Sequence, residues 1–182
     1  ILISLSICKF IYSDFTFKNF EKEDFKSKEI NVGFYPLGKF DSNLLFFLKK
    51  EVEVFYKFNV LILKGSELPS KAYYKPRNRY KADTLLDYLL LIKPKNIDYI
   101  VGLTEKDISC AKGQYSDWGV FGLGFMPGES CIVSSYRLKP SAKNEEHFYE
   151  RLSKVVIHEL GHNFGLDHCS NSKCIMRDAE GT

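Results

Sequence analysis

The sequence lacks several features that would place it in a specialised class of protein. No run approaches the roughly 18 consecutive apolar residues that a membrane-spanning helix needs. The five cysteines are odd in number and irregularly spaced, which argues against the disulfide framework of a small secreted domain. The net charge is only +3 and the lysines are scattered, so no basic surface for nucleic acid or membranes is indicated. The remaining composition, 45% hydrophobic and 15% aromatic over 182 residues, suits one globular domain.

Histidine is also scarce, with four residues, yet three of them lie in residues 158–168, His-Glu-Leu-Gly-His-Asn-Phe-Gly-Leu-Asp-His. Histidines four positions apart lie about one turn apart on the same face of a helix. A glycine at position 165 lets the chain leave that helix in a left-handed conformation, which can bring a third histidine back. We therefore predict that His158, His162 and His168 bind one zinc ion. The alternative is that these histidines only cap the helix or pack against it.

Three histidine ligands leave one position of a tetrahedral zinc open, whereas a structural zinc site usually has four protein ligands. Zinc lowers the pKa of a water in that position to about 7. Glu159 follows the first histidine and would be placed to take the proton of this water as it attacks a peptide carbonyl. The pattern therefore predicts a hydrolytic zinc site with Glu159 as the catalytic residue.

The residues after the third histidine narrow the family. Cys169 follows His168 directly, Cys174 comes five residues later, and Met176 is one of only two methionines. This segment closely resembles the archaemetzincin signature, in which the extended histidine motif continues into Cys-x4-Cys-x-Met. The resemblance implies that Met176 forms the hydrophobic turn beneath the catalytic zinc. It also implies that Cys169 and Cys174 are half of a second zinc site, completed by a Cys-x-x-Cys pair further downstream.

The chain departs from that signature after Met176, because only six residues follow it. The other cysteines, Cys8, Cys110 and Cys131, show no Cys-x-x-Cys spacing. Either the sequence is truncated before the second pair or the protein lacks the second site and keeps two free thiols. We favour truncation, since the first residue is not methionine and the chain stops just past the turn. We expect one catalytic Zn2+, and a structural zinc only if the missing cysteines are present.

Residues 1–29 are predicted to be an N-terminal lead-in. The apolar residues 1–12 fit a signal-peptide remnant or an edge strand equally, and Ile7 is too large for the cleavage site of a lipoprotein at Cys8. The compartment therefore stays open: the family resemblance favours the cytoplasm, and a signal remnant would imply export. Residues 30–182 are expected to form the catalytic domain, with its C-terminal part missing.

Hydrophobic periodicity predicts alternating strands and helices from residue 30 onward. Strands are expected at 30–36, at 58–63 as a strand buried on both faces, and at 98–103. Helices are expected from Asp41 or Ser42 with an apolar stripe that includes Phe55, and at 81–93. Residues 65–79 are expected to be a surface connection, and the glycine-rich stretch 113–128 a loop leading to a strand at 119–125. A further strand at 131–136 is followed by a final helix, capped by Asn144 and ended by the glycine at 165.

This order predicts an α+β fold of the α/β/α sandwich type, with right-handed crossovers between parallel strands. The resemblance implies a zincin or metzincin-like architecture: a mostly parallel twisted sheet, one antiparallel strand at the edge of the cleft, a long zinc-binding helix and a small C-terminal subdomain. The antiparallel strand would be 119–125 or 131–136. His147 is expected to be an exposed helix residue rather than a ligand. Asp167 is expected to be an exposed turn residue rather than a hydrogen-bond partner of a histidine.

The function predicted from these residues is that of a zinc metallopeptidase that hydrolyses peptide bonds. We expect a peptide or protein substrate, no nucleic-acid or membrane partner, and a monomer. One alternative is a zinc-binding protein of the same fold without turnover, and another is a redox or zinc-buffer protein built on Cys169 and Cys174. A thermolysin-like site would need a glutamate ligand from a later helix, and too few residues remain to supply one.

Overall fold

The computed structural model of the chain describes residues 29–178, so the predicted signal remnant in residues 1–12 lies outside the described residues. Its elements are, in chain order, β1 (Asn31–Pro36), α1 (Ser42–Tyr56), β2 (Asn59–Ile62), β3 (Tyr73–Tyr74), β4 (Arg79–Lys81), α2 (Ala82–Ile92), β5 (Tyr99–Thr104), β6 (Ile108–Lys112), β7 (Tyr115–Val120), β8 (Gly122–Gly124), β9 (Ser130–Ser134) and α3 (Glu145–Asn163).

The main sheet has five strands in the order β2-β1-β5-β9-β8. The pairs β1–β2, β1–β5 and β5–β9 are parallel, whereas β8 is antiparallel to β9 and lies at the edge. The prediction of a mostly parallel sheet with one antiparallel edge strand is therefore confirmed. The predicted strand 119–125 supplies this edge through β8.

Helices cover both faces of the main sheet, as an α/β/α sandwich requires. Helices α1 and α3 enclose one buried cluster with the sheet, and α2 encloses a second cluster on the opposite face. The Asp41 side chain accepts a hydrogen bond from the backbone N–H of Leu44, 2.9 Å, which confirms the predicted cap of α1. Phe55 is 47% exposed, so its assignment to the buried stripe of α1 was wrong.

Strand β2 differs from the prediction because it lies at the other edge of the sheet. We expected its apolar run to be buried on both faces, but Ile62 is 37% exposed. A continuous apolar run cannot distinguish a central strand from an edge strand, because strand order depends on contacts with distant segments.

A second sheet of four short strands, in the order β3-β4-β6-β7, was not predicted. Residues 73–74 were expected in a surface connection and residues 115–118 in a loop, but both belong to this sheet. Buried ion pairs join its strands, in addition to the apolar contacts of Ile108, Tyr80 and Val120 with the cluster beneath α2. Arg137 binds Asp107 through two hydrogen bonds of 2.6 and 2.9 Å, and Arg79 lies 3.1 Å from the same carboxylate. Arg79 and Asp107 are 8% and 7% exposed.

Helix α3 is the longest helix of the described part of the chain and has the predicted ends. The Asn144 side chain accepts a hydrogen bond of 2.8 Å from the backbone N–H of His147, and Gly165 has a φ of +82° just after the helix. Across residues 29–178, no helix combines the length and apolar character needed to cross a membrane. The segment after Gly165 contains neither helix nor strand up to residue 178.

Candidate metal centre

The three motif histidines lie together at the end of α3. His158 and His162 are on the helix, and the turn at Gly165 returns the chain so that His168 lies beside them. The ring centroids are 4.6 Å apart for His158 and His162, 5.4 Å for His158 and His168, and 4.8 Å for His162 and His168. One nitrogen from each ring lies within 4.8 Å of the others, so the three could share one metal ion.

Backbone carbonyls select the tautomer that two of these rings adopt when they are neutral. The Nδ1 atom of His158 lies 2.8 Å from the carbonyl oxygen of Ile175, and the Nδ1 atom of His162 lies 2.8 Å from that of Leu166. Because a carbonyl can only accept, each Nδ1 carries the proton and each Nε2 keeps a free lone pair for a metal. Burial lowers the pKa of both His158 and His162, which favours the neutral form that a metal binds. The donor set therefore fits zinc.

Glu159 lies between α3 and β8, in a space left by a glycine. It is 8% exposed, and burial raises the pKa of its carboxyl group to about 8. A Cβ atom on Gly122 would lie 2.6 Å from both Cγ and Oε1 of Glu159. A divalent cation on the adjacent histidines would favour the ionised carboxylate and lower that pKa.

Among residues 29–178, no strand pairs with the outer side of β8, which leaves a free edge beside Glu159. The carbonyl of Phe121 accepts a hydrogen bond from Ser134 N–H, 2.8 Å, and the N–H of Phe125 donates to the Ser130 carbonyl, 3.2 Å. In an antiparallel pair, the N–H and C=O groups of successive residues point alternately towards the partner strand and away from it. The backbone groups of Gly122 and Gly124 therefore point away from β9, to the outer edge. This edge can accept an added peptide strand.

Asn163 fixes the end of this edge, and the sequence analysis missed it. Its side chain is 2% exposed, and its amide nitrogen donates to the carbonyls of Phe125, 2.9 Å, and Ser130, 2.8 Å. The N–H of Gly128 donates to the Asn163 carbonyl, 3.1 Å. The sequence does not indicate that Asn163 holds this hairpin, because the carbonyls that it contacts lie more than 30 positions away in the chain.

Met176 lies against α3 next to the histidines. Its side chain is 5% exposed, and a Cβ atom on Gly161 would overlap its sulfur. Cys169 N–H donates to the Met176 carbonyl, 2.8 Å, which closes the loop that follows the third histidine. The implied role of Met176, a turn beneath the catalytic zinc, stays a prediction.

Cys169 and Cys174 are free, half-buried thiols in that loop. Within residues 29–178, the three histidines form the only group of three or more His, Cys, Asp or Glu side chains that could share an ion. A second zinc site at the two cysteines therefore stays a prediction. His147 lies at the far end of α3 and is half-buried rather than exposed, because its Nδ1 accepts a hydrogen bond from Lys143 N–H, 3.1 Å. Asp167 is exposed.

Known proteins resemble this chain in sequence and in fold. The model of peptidase family M54 matches residues 47–181. The archaemetzincin of Pyrococcus furiosus is 34% identical over 154 residues, which cover 78% of this chain and 77% of that protein. The crystal structure of archaemetzincin from Methanopyrus kandleri superimposes with a TM-score of 0.71 at 30% identity, covering 85% of this chain and 83% of that one.

A zinc-dependent peptidase from Methanocorpusculum labreanum shares the fold, with a TM-score of 0.62 at 24% identity over 80% of this chain and 87% of that one. The family match covers most of the chain and includes every motif residue, His158 to Met176. The chain therefore belongs to peptidase family M54, the archaemetzincin family, and is a zinc metallopeptidase.

Proposed function

We propose that His158, His162 and His168 bind the catalytic zinc ion and that Glu159 is the general base of peptide hydrolysis. The observation that carries this proposal is the convergence of three imidazoles, two of which have Nδ1 engaged by a backbone carbonyl. When bound, zinc supplies a Lewis acid that polarises the peptide carbonyl and makes water a better nucleophile. The ion is expected at one per chain.

Glu159 would move the proton in this reaction. It takes a proton from the attacking water and then donates it to the leaving nitrogen of the peptide bond. Its burial between α3 and β8 excludes bulk water from the carboxyl group and strengthens its interaction with a nearby cation. Gly122 contributes by having no side chain in the space that the carboxyl group needs.

The free edge of β8 would hold the substrate. An extended peptide adds to this edge through the backbone groups of Gly122 and Gly124, so its scissile bond lies close to Glu159. Met176 supports the histidines from below through its contact with α3 at Gly161. The family supports a peptide or protein substrate. The monomeric state, the compartment and the expectation that no nucleic acid or membrane binds stay predictions.

The isosteric variant Glu159→Gln tests the assignment. It should bind zinc at the wild-type stoichiometry, measured by elemental analysis, while kcat on a quenched-fluorescence peptide library falls by about 10²–10⁴. His168→Ala is the matched comparison and should lose both zinc and turnover. If wild type and Glu159→Gln turned over at the same rate, the general-base assignment would be wrong. Equal inactivity with zinc retained would instead indicate a zinc-binding protein without turnover.

A further inference from the structure

We propose that Arg151 of α3 is a specificity determinant that binds a carboxylate of the substrate peptide, about three residues after the bond that is cleaved. The carboxylate would belong to an Asp or Glu side chain, or to the C-terminus of a short leaving peptide. This inference rests on the proposed function, because it names the class of peptide that the same cleft prefers.

Arg151 lies on the same face of α3 as two of the motif histidines. An α-helix has about 3.6 residues per turn, so residues seven and eleven positions apart point in nearly the same direction. His158 and His162 are seven and eleven positions after Arg151. These three side chains are half-buried, and so is Val155 between them. Arg151 is therefore in line with the proposed metal centre, about 10.5 Å from His158 along the helix axis.

The strand that borders the cleft shows the same order of contacts. The guanidinium carbon of Arg151 lies 5.8 Å from the ring centroid of Phe121. The next residue is Gly122, which leaves the space that Glu159 occupies. At the end of α3, Asn163 binds the hairpin that follows β8. Strand β8 and the second half of α3 therefore run in the same direction, with Arg151 beside the start of the strand.

The direction of the peptide follows from this order. Antiparallel pairing is slightly more stable per residue than parallel pairing, so a peptide added to the free edge would run opposite to β8. Its N-terminal part then lies near Gly124 and its C-terminal part near Phe121. At about 3.3 Å per residue, the separation of about 10.5 Å between His158 and Arg151 corresponds to about three residues after the cleaved bond.

The charge of Arg151 is not compensated within the described part of the chain. None of the ion pairs among residues 29–178 includes this side chain. Glu150, its neighbour in the sequence, pairs with Lys154 at 2.6 Å. Asp107 is bound by Arg137, also at 2.6 Å. A carboxylate brought by the substrate would therefore meet an unpaired guanidinium.

The guanidinium of Arg151 is held in a position that leaves donors available. Its Nη1 donates a hydrogen bond of 2.6 Å to Ser141 Oγ, which is its one hydrogen bond among residues 29–178. A guanidinium has five N–H donors, and two parallel ones can bind both oxygens of a carboxylate. Because Ser141 and the ring of Phe121 already restrict this side chain, binding costs little conformational entropy.

The first experiment compares peptides that differ only in charge. Each has one cleavable bond and an amidated C-terminus, with Glu or the isosteric Gln at one position before or after that bond. We expect wild-type kcat/KM to be about three- to tenfold higher for Glu than for Gln at the third position after the bond, mainly through KM. The ratio should fall as salt is added. A second pair of peptides ends at that position as a free acid or an amide, and shows whether a terminal carboxylate is bound as well.

The matched variants are Arg151→Gln, Arg151→Lys and Lys154→Gln. Arg151→Gln should bring the Glu-to-Gln ratio to about one, and Arg151→Lys should keep part of the preference because it retains the charge without the planar fork. Lys154→Gln removes a positive charge from an exposed position three residues further along α3 and should keep the wild-type ratio. A ratio of two rates on one preparation does not depend on how much of the protein is folded.

The second experiment measures binding without cleavage. Fluorescence anisotropy of labelled peptides with zinc-loaded Glu159→Gln should give a lower Kd for the Glu peptide than for the Gln peptide. The Glu159→Gln, Arg151→Gln double variant should bind both equally. A preference that survives Arg151→Gln, a preference only at positions before the bond, or no preference at all would overturn this inference alone. A wild-type protein that prefers to bind the Glu peptide but cleaves neither peptide would instead overturn the proposed catalysis.

Discussion

Gly122 and Glu159 occupy one small volume between β8 and α3, and this contact decides whether the carboxyl group can act. The glycine has no conformational role here, because its φ is not positive. It is needed because any side chain would displace a buried carboxyl group. The chemistry proposed for Glu159 therefore depends on a residue 37 positions earlier that carries no reactive group.

Gly122→Ala should lower kcat/KM by about 10²-fold or more, which is the loss expected when a general base can no longer take the proton. Zinc content should stay at the wild-type level. The reason is the 2.6 Å approach of the new Cβ to Glu159, which must move the carboxyl group. Peptide turnover and elemental analysis would measure the two quantities.

Gly113→Ala is the matched control. Its Cβ would meet no atom within 4 Å, but its φ of +57° strains alanine by roughly 1–2 kcal/mol. It should lose stability and keep full turnover. If both alanine variants lost turnover in parallel, general destabilisation rather than displacement of Glu159 would explain the result.

The residues of the metal cluster could be predicted from the sequence because their geometry is local. The four-residue spacing of His158 and His162 on a helix, and the glycine before His168, determine where the rings lie. Gly122 and Asn163 could not be predicted in this way, since their contacts join segments 33–38 positions apart. Only the folded sheet brings those segments together.

At the scale of elements, Asn163 joins α3 to the hairpin of β8 and β9, whose outer edge is the proposed substrate site. Asn163→Leu keeps the approximate volume but removes both donors, and the Phe125 carbonyl loses its described partner. We expect a loss of about 1–3 kcal/mol in the free energy of unfolding, measured with urea. We also expect a raised KM, because the edge is no longer held against α3.

The exposed Asn43 provides the control for this substitution. Asn43→Leu should change stability by no more than about 0.5 kcal/mol, as is usual at exposed positions. An Asn163→Leu protein with wild-type stability and wild-type KM would contradict the positioning role of the amide.

The second sheet shows where sequence patterns fail at this scale. Strands β4, β6 and β7 are joined by Arg79, Ser109 and Asp117, so polar residues occupy positions where a pattern search expects apolar ones. The helices and central strands were predictable because burial of one apolar face produces a regular period. Residues 115–118 lie in a stretch rich in glycine, so the sequence predicts a loop there, and the ion pairs that join this strand to its neighbours leave no periodic apolar signal.

The pH dependence of stability should reveal this network. Burial alone would raise the pKa of Asp117. Hydrogen bonds from Ser109 and Lys81 and the charges of Arg79 and Lys81 have the larger effect, so the pKa of Asp117 lies below its ordinary value. As pH falls through the ordinary carboxyl pKa of about 3.9, the unfolded chain takes up this proton before the native one does. The stabilisation is therefore complete above about pH 5 and is lost as pH falls towards the native pKa.

Asp117→Asn should cost about 1.5–3 kcal/mol near pH 7, and its difference from wild type should shrink between about pH 5 and pH 2. Urea unfolding at a series of pH values would measure this. Asp87→Asn, at an exposed position on α2, should leave the wild-type pH profile unchanged. A constant difference between Asp117→Asn and wild type at every pH would show that the carboxylate charge contributes nothing.

At the scale of the whole molecule, the proposed metal centre joins the α/β/α core to the C-terminal segment. His158 and His162 belong to α3, whereas His168 belongs to the segment after Gly165, which has no helix or strand of its own up to residue 178. That segment is otherwise held by the buried Met176 and by the histidine contacts of Ile175 and Leu166. An ion bound by all three histidines would therefore couple the order of the segment to the stability of the core.

Zinc should accordingly raise the free energy of unfolding by mass action, about 4 kcal/mol at a free zinc concentration 1,000 times the Kd. Calorimetry with zinc and with a chelator would measure this as a shift in Tm, and His168→Ala should lose most of the shift because one ligand and the link to the segment are gone. A Cys169→Ser, Cys174→Ser double variant should keep one ion per chain and the full shift, since both thiols lie outside the histidine cluster. Loss of the shift in the cysteine variant, with the shift retained in His168→Ala, would place the stabilising ion at the thiols and contradict the proposed centre.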